Sequence, residues 1–357
     1  MTYPFVHSVD FIKNFVSSHD NEGMPEFTHD TFDRSFFNVF DKYIEVRTEV
    51  SFFFDDIEDV SIYTKKTVEF LSKLNDPANA IYTPCILLCA LEQLGFNEDQ
   101  DKPLIRSVLM AALLSEIKND LPYHNNLHYR KVIFHTIRMI VAHNSIFREA
   151  SHVLDKSQMA SLIIAACIHD FLHLGQGNIV DRKYHFAKTE QYSFEMAKPY
   201  LKQCGLSDEI LHDIRIMLIC TDVSPFGDPI SPVSQMKTAY EYHFGSAESE
   251  NELDLCDELQ VLETNSGLCR LALILHEADI MNSAAVSYEV TCCESVYISI
   301  ETGRKTALPE DTLLFLDVIC GGGMFSDAAR YIGDHNFRDI QKQVLDDYNN
   351  GNLPYTE

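Results

Sequence analysis

The sequence predicts an all-α fold, and three observations carry that prediction. Few segments alternate apolar and polar residues with period two, as a half-buried strand would. Many carry apolar side chains at i, i+3, i+4 and i+7, as Val132, Ile133, Ile137, Ile140 and Val141 do. The longest apolar runs, Leu162 to Ile168 and Leu271 to Leu275, are too short to span a bilayer and read as parts of buried helices.

In chain order, the periodicity predicts helices over Ile81 to Leu94, Lys102 to Glu116, His128 to Ala142 and Ser157 to His169. It continues with Ala187 to Gln203, Ser207 to Cys220, Ser266 to Asp279 and Pro309 to Cys320. Ser157 and Ser207 are candidate N-caps, because a hydroxyl there accepts from the orphan amides of the first turn. Between Thr221 and Pro232 the chain holds Pro225, Gly227, Pro229 and Pro232, and an acidic run, Glu248 to Glu258, follows. Much of this stretch is expected to be irregular. Gly321, Gly322 and Gly323 form a second break without phosphate-loop spacing. Residues 1–80 are mixed and aromatic-rich, and are taken as an N-terminal helical segment packed on one domain covering 81–357.

The chain of 357 residues, 46% apolar, is long enough for a large core. A net charge of −26 repels polyanions at a distance, so holding nucleic acid by phosphate neutralisation is not expected. A small anionic substrate is still admissible where a bound cation dominates the local potential. The ten cysteines are scattered, lack any C-x-x-C pair and include adjacent Cys292 and Cys293, which reads as reduced, cytoplasmic usage. The opening residues have no basic region before an apolar stretch, so neither a signal nor a membrane segment is expected.

Four segments bear chemistry. In Tyr123-His124-Asn125-Asn126-Leu127-His128, two histidines four apart open a helix and can share one face. Such a pair can ligate a metal or divide ligation from proton transfer; the ordinary alternative is surface or capping histidines. His169-Asp170 follows Leu162 to Ile168, where a buried helix delivers a carboxylate into a low-dielectric interior. That charge is costly unless paired or coordinated. The dipeptide also occurs at His19-Asp20, His29-Asp30 and His212-Asp213, with nothing nearby that asks for a metal. His276-Glu277-Ala278-Asp279 again ends an apolar helix in an acid, and Thr221-Asp222-Val223-Ser224 repeats the pattern; either acid alone is an ordinary helix-end acceptor. Together, imidazoles and carboxylates from separate helices make the kind of ligand set found inside helical bundles.

These motifs resemble those of class I cyclic-nucleotide phosphodiesterases, within the HD metal-dependent phosphohydrolase superfamily. Residues 123–128 look like Y-H-N-x-x-H, and His169-Asp170-x-x-His173-x-Gly175-x-x-Asn178 is similar to H-D-x-x-H-x-G-x-x-N. His276-x-Ala278-Asp279-x-x-Asn282 is similar to H-x-A-D-x-x-N, and Thr221-Asp222-x-Ser224 to T-D-x-S. The resemblance implies a compact multi-helix catalytic domain of the HD phosphodiesterase type. It implies zinc held tightly by His128, His169, Asp170 and Asp279, with Asp170 also reaching a second divalent ion, magnesium or manganese. Two such ions would lower the pKa of a water and neutralise phosphoryl charge. His124 would be the general acid and His173 would stand next to the metal waters. Tyr123, Asn178, Thr221, Asp222 and Asn282 would support ligands or substrate, Tyr123 being equally readable as core.

The family's glutamate after the His-Asp motif sits in a run that is absent here. Glu190 is the candidate for its role, or else an exposed helix glutamate. The family's purine-reading glutamine, three residues before a stacking phenylalanine, corresponds to Thr312 before Phe315. A hydroxyl cannot reproduce the bidentate amide contact, and Phe315 is open to a core reading. The expected function is therefore hydrolysis of a phosphodiester, foremost cyclic AMP or cyclic GMP to the 5′-nucleotide. Another phosphodiester or a nucleotide monoester, and a regulatory module that keeps the fold without catalysis, are the alternatives. The expected partner is a small-molecule phosphodiester, with the oligomeric state left open.

Overall fold

The computed structural model describes residues 4–57, 59–75, 81–149, 152–245, 253–351 and 355, apart from 19–42. The pairs His19-Asp20 and His29-Asp30, and the acidic residues 248–252, lie outside the described residues. Among those described, the chain is helical apart from turns, loops, a single isolated bridge and one two-stranded hairpin, β1 (Ile179–Val180) with β2 (Lys183–Tyr184). The all-α expectation therefore holds.

The N-terminal part supplies α1 (Val6–Ser18), α2 (Tyr43–Glu49), a 3-10 turn (Ser51–Phe54) and α3 (Val60–Leu74). Then follow α4 (Thr83–Gln93), α5 (Lys102–Leu114), α6 (Asn126–Ile146) and α7 (Lys156–Ile168). After the hairpin come α8 (Lys188–Gln203), α9 (Asp208–Ile219), α10 (Pro232–Phe244) and the short α11 (Val261–Thr264). The chain ends in α12 (Ser266–Ala284), α13 (Tyr288–Glu301), α14 (Pro309–Leu314) with a π-helical turn over Phe315–Ile319, and α15 (Asp327–Asn350). The eight predicted helices each appear within a few residues of their expected ends, except that the last changes to π geometry at Phe315.

At the centre α12 packs along α6, and α7 lies against both. α12 is buried over nearly its whole length, from Leu268 to Ala284, and α7 is buried from Met159 to Ile168. Helices apolar all round must sit inside, which leaves their ends as the places where polar groups gather. α9, α10, α13 and α15 cover α12, while α5 and α9 cover α7.

The N-terminal elements belong to the same packing, with α1 against α5, α2 against α4, and both the 3-10 turn and α3 against α6. Phe53, Phe70 and Phe134 meet with ring centroids 4.7 to 5.3 Å apart. Beside them the buried Arg138 guanidinium donates to Tyr63 Oη at 2.8 Å and to the carbonyls of Phe53 and Asp55, closing the end of the 3-10 turn.

One local expectation is corrected. Ser157 does not cap α7: Asp155 accepts from Gln158 N at 2.9 Å while Gln158 Oε1 accepts from Asp155 N, a reciprocal capping box starting two residues earlier. From Thr221 to Ser231 the chain is turn and loop as expected, and α10 begins at Pro232, where its missing N–H costs nothing. Ser207 caps α9 as expected, accepting from Ile210 N. No described helix is long and apolar enough to cross a membrane, and all ten cysteines are free.

Candidate metal centre

His128 stands in the first turn of α6, and its position follows from two asparagines. Asn125 Oδ1 accepts from the amides of Leu127 and His128, while its Nδ2 donates to Leu121 and Pro122 carbonyls at 3.0 Å. Asn126 Nδ2 donates to Ser115 and Ile117 carbonyls, tying the start of α6 to the end of α5. His169 and Asp170 follow the last turn of α7, and Asp279 faces them from α12. Tyr129 Oη donates to Asp170 O at 2.6 Å, and Asn119 Nδ2 donates to both Tyr129 Oη and His173 O at 3.2 Å. The turn that brings His173 back needs Leu172 at φ 59° and Gly175 at φ 70°. A Cβ on Gly175 would lie 3.0 Å from Leu121 Cδ2, so glycine serves there for both backbone and space.

Four ligand-type atoms meet between these helices. His128 Nε2 lies 3.2 Å from His169 Nε2, 3.1 Å from Asp279 Oδ1 and 3.5 Å from Asp170 Oδ2. His169 Nε2 lies 3.1 Å from Asp170 Oδ2 and 3.5 Å from Asp279 Oδ1. Donors bound at ~2.0–2.1 Å to one cation stand roughly 3–3.4 Å apart, which three of these separations match and the two at 3.5 Å slightly exceed; the group whose ligand atoms all lie within 4.8 Å of one another is His128, His169 and Asp279, with Asp170 beside its two imidazoles. His169 Nδ1 must donate to Ala166 O at 2.9 Å, so in the neutral ring Nε2 is the bare nitrogen toward the centre. Both imidazoles are almost fully buried.

The electrostatics fit a cation as well. Burial alone would push the imidazoles down and the carboxylates up. Their mutual charges and hydrogen bonds overturn this: His169 is held well above and His128 above the usual range, with Asp170 well below and Asp279 below. A buried cluster that draws positive charge so strongly, with one imidazole proton already committed outward, suits a divalent ion.

A second group lies alongside. His124, His173 and Glu301 also offer three ligand atoms within 4.8 Å of one another, as do His128, His169 and Asp279. Glu301 Oε1 accepts from His124 Nδ1 at 2.5 Å, and its Oε2 accepts from the amides of Tyr123 and His124. The His124 proton at Nδ1 is thereby fixed, and Nε2 faces Asp170 Oδ2 at 3.9 Å. Burial would raise the Glu301 carboxyl, yet its bonds to His124 and Tyr123 bring it down to about 2. His173 stacks on His124 with centroids 4.1 Å apart and accepts from Gly175 N at Nδ1; burial pushes its imidazole down. Tyr123 packs on both His124 and His128 and bonds Ser283 Oγ at 3.1 Å.

The other expected residues make no hydrogen bond to these two groups among the described residues. Asn178 Nδ2 donates to Glu190 Oε2 at 2.8 Å, and Glu190 is buried on α8, not exposed. Burial and then Asp222 push its carboxyl up to about 8. Asp222 accepts from Tyr184 Oη, Ala187 N and Ser224 N, clasping the hairpin to the end of α9. Thr221 Oγ1 donates to Leu218 O, a helix-end bond. Asn282 is buried on α12. Thr312 is buried with its Oγ1 bonded to Ser295 Oγ at 3.0 Å, and Phe315 is half-buried against the core.

Glu301 is the residue that sequence reasoning missed. It is separated from His124 by well over a hundred residues and ends α13, whose face carries Thr291, Glu294 and Ser299 inward instead of an apolar stripe. No family model matches the chain, and no curated protein matches it significantly.

Proposed function

We propose that the chain is a metal-dependent phosphohydrolase of the HD phosphodiesterase type, cleaving a phosphodiester, with a 3′,5′-cyclic nucleotide as the leading substrate. The observation that carries this reading is the meeting of His128, His169, Asp170 and Asp279 beside a histidine whose tautomer a buried glutamate fixes. His128, His169, Asp170 and Asp279 would hold the tighter ion, zinc by the mixture of imidazole and carboxylate, and Asp170 would share in a second, magnesium or manganese. Bound divalent ions supply Lewis-acid polarisation of the phosphoryl group and a water of lowered pKa.

The chain's own groups then divide the remaining work. Glu301 holds the His124 proton at Nδ1, so the proton exchanged with substrate is the one at Nε2, on the side facing Asp170. That proton suits the departing ribose oxygen. His173 keeps the His124 ring in its plane by stacking, and Asn119 with Tyr129 holds the backbone at Asp170 and His173. Ten free cysteines and no described membrane-spanning helix accord with a reducing, cytoplasmic setting.

A second reading, hydrolysis of another phosphodiester or a nucleotide monoester, is favoured by Thr312. Its hydroxyl is engaged by Ser295 inside the protein and stands where a base-reading amide is expected. The deciding experiment is turnover by metal-loaded protein of cyclic AMP, cyclic GMP, a bis-aryl phosphate and nucleotide monophosphates. Cyclic-nucleotide turnover supports the leading reading, and activity only on the others supports the second. Inactivity on all, with metal stoichiometrically bound, leaves a regulatory module that keeps the fold.

A further inference from the structure

His124 and Lys131 are seven residues apart, and so are Glu294 and Glu301. Seven residues are about two turns of α-helix, ~10.5 Å of rise, so each pair lies on one side of its segment. The two segments run antiparallel and meet at both ends of this spacing. Glu301 Oε1 accepts from His124 Nδ1, and its Oε2 accepts from the amides of Tyr123 and His124. At the other end Lys131 Nζ donates to Glu294 Oε1 at 2.6 Å. Lys131 stands one turn past His128 on α6, and Glu294 lies in the middle of α13. Both are buried, at 9% and 4% exposure. An ion pair so enclosed adds little net stability, because desolvation offsets most of the attraction, and its best-attested use is to fix register. α13 packs on α12 and α15, and this pair is a hydrogen bond that joins it directly to α6.

We infer that Lys131 and Glu294 are positioning residues: their ion pair sets the register of α13 along α6, and that register delivers Glu301 to His124. A slip of one turn would move the Glu301 carboxylate ~5.4 Å, beyond reach of Nδ1. Glu301 is the last residue of α13, where helices fray, so its three bonds need a fixed point further back. The ion pair supplies it two turns earlier. Neither residue offers a ligand atom to either group of the centre, so their influence on His124 is exerted through Glu301. The effect on turnover rests on the reading of His124 as proton donor; the effect on its tautomer does not.

The test uses the full zinc-loaded chain with ring-15N-labelled histidine, read by NMR at about pH 8 for the position of the His124 proton, beside kcat and KM on the substrate panel. Lys131→Met combined with Glu294→Met removes both charges and leaves neither buried alone, so the fold should survive. Its His124 should lose the Nδ1–H signature of the wild type. Where the wild type turns over, kcat should fall by about 10-fold or more, a part of the ~10²–10⁴-fold that a general acid supplies, with KM within about 2-fold. The exchanged pair, Lys131→Glu with Glu294→Lys, should restore the signature. A double Met variant that keeps the Nδ1–H signature overturns the inference, whatever its Tm. Should that variant fail to fold, the isosteric Glu294→Gln decides by the same signature, and a retained signature there overturns the inference as well. Absence of turnover by the wild type would sink the catalytic reading alone, and the tautomer would still decide the role of the pair.

Discussion

Asp170 and Asp222 show how one sequence pattern serves two purposes. Both acids follow an apolar helix, α7 in one case and α9 in the other. Asp222 meets three protein donors and is satisfied. Asp170 Oδ2 meets the Nε2 atoms of His128 and His169, which face Asp279 as well. Replacing Asp279 or Asp170 with Ala should therefore abolish stoichiometric metal uptake, measured by elemental analysis of purified protein. Asp222→Ala should leave uptake intact while lowering stability by about 1–3 kcal/mol, because the hairpin loses its clasp. Metal retained by Asp279→Ala would sink the proposed centre.

Glu301 supports a second prediction at this scale. Its carboxyl lies below its ordinary 4.5, at about 2, so it stabilises the fold above the unfolded value and that contribution is lost as pH falls toward 2. Glu301→Gln should narrow the stability gap to wild type on acidification from pH 7 to about 3, read by urea unfolding at each pH. In an active enzyme it should also lower kcat far more than it raises KM, since His124 loses its fixed tautomer. A gap that stays constant with pH would show that Glu301 contributes nothing through its charge.

Among the elements, α6 does two jobs. Its first turn presents His128, and three turns on, Arg138 bonds Tyr63 Oη and the carbonyls that end the 3-10 turn. Arg138→Met keeps the bulk but leaves those carbonyls unpaired, and should cost about 3 kcal/mol in chemical denaturation. A change below about 0.5 kcal/mol would mean that the N-terminal segment is held by its aromatic contacts alone. The α6 and α12 positions were legible in the sequence because their apolar periodicity ends in polar residues at the buried centre. α13 and α15 were not. α13 turns Thr291, Glu294 and Ser299 inward, with Glu294 accepting from the buried Lys131 at 2.6 Å, so its period is written in polar pairs that only the partner helix explains. α15 is polar over most of its length, with a thin buried stripe from Ala328 to Val344. The cap of α7 was misplaced because a serine two residues later also qualifies, and only the reciprocal bond with Gln158 selects Asp155. Asp155→Ala should cost about 1 kcal/mol, where Ser157→Ala should cost almost nothing.

For the whole molecule, the centre is the place where His128 of α6, His169 and Asp170 after α7, and Asp279 of α12 approach one another. Against the effect of burial, Asp170 and Asp279 raise the proton affinity of the two imidazoles, so protons and a cation would compete for the same place. Metal bound only by the folded state stabilises by mass action, ~2.7 kcal/mol at a free concentration 100 times Kd. In a chain of 357 residues that corresponds to a Tm rise of about 4 °C. Chelator-stripped protein titrated with zinc should thus show a Tm that climbs with the logarithm of metal concentration, and refolding on metal return. The same titration on Asp279→Ala should be flat. If the stripped wild type melts at the same temperature at every zinc concentration, the four side chains meet as a network of hydrogen bonds and not around an ion.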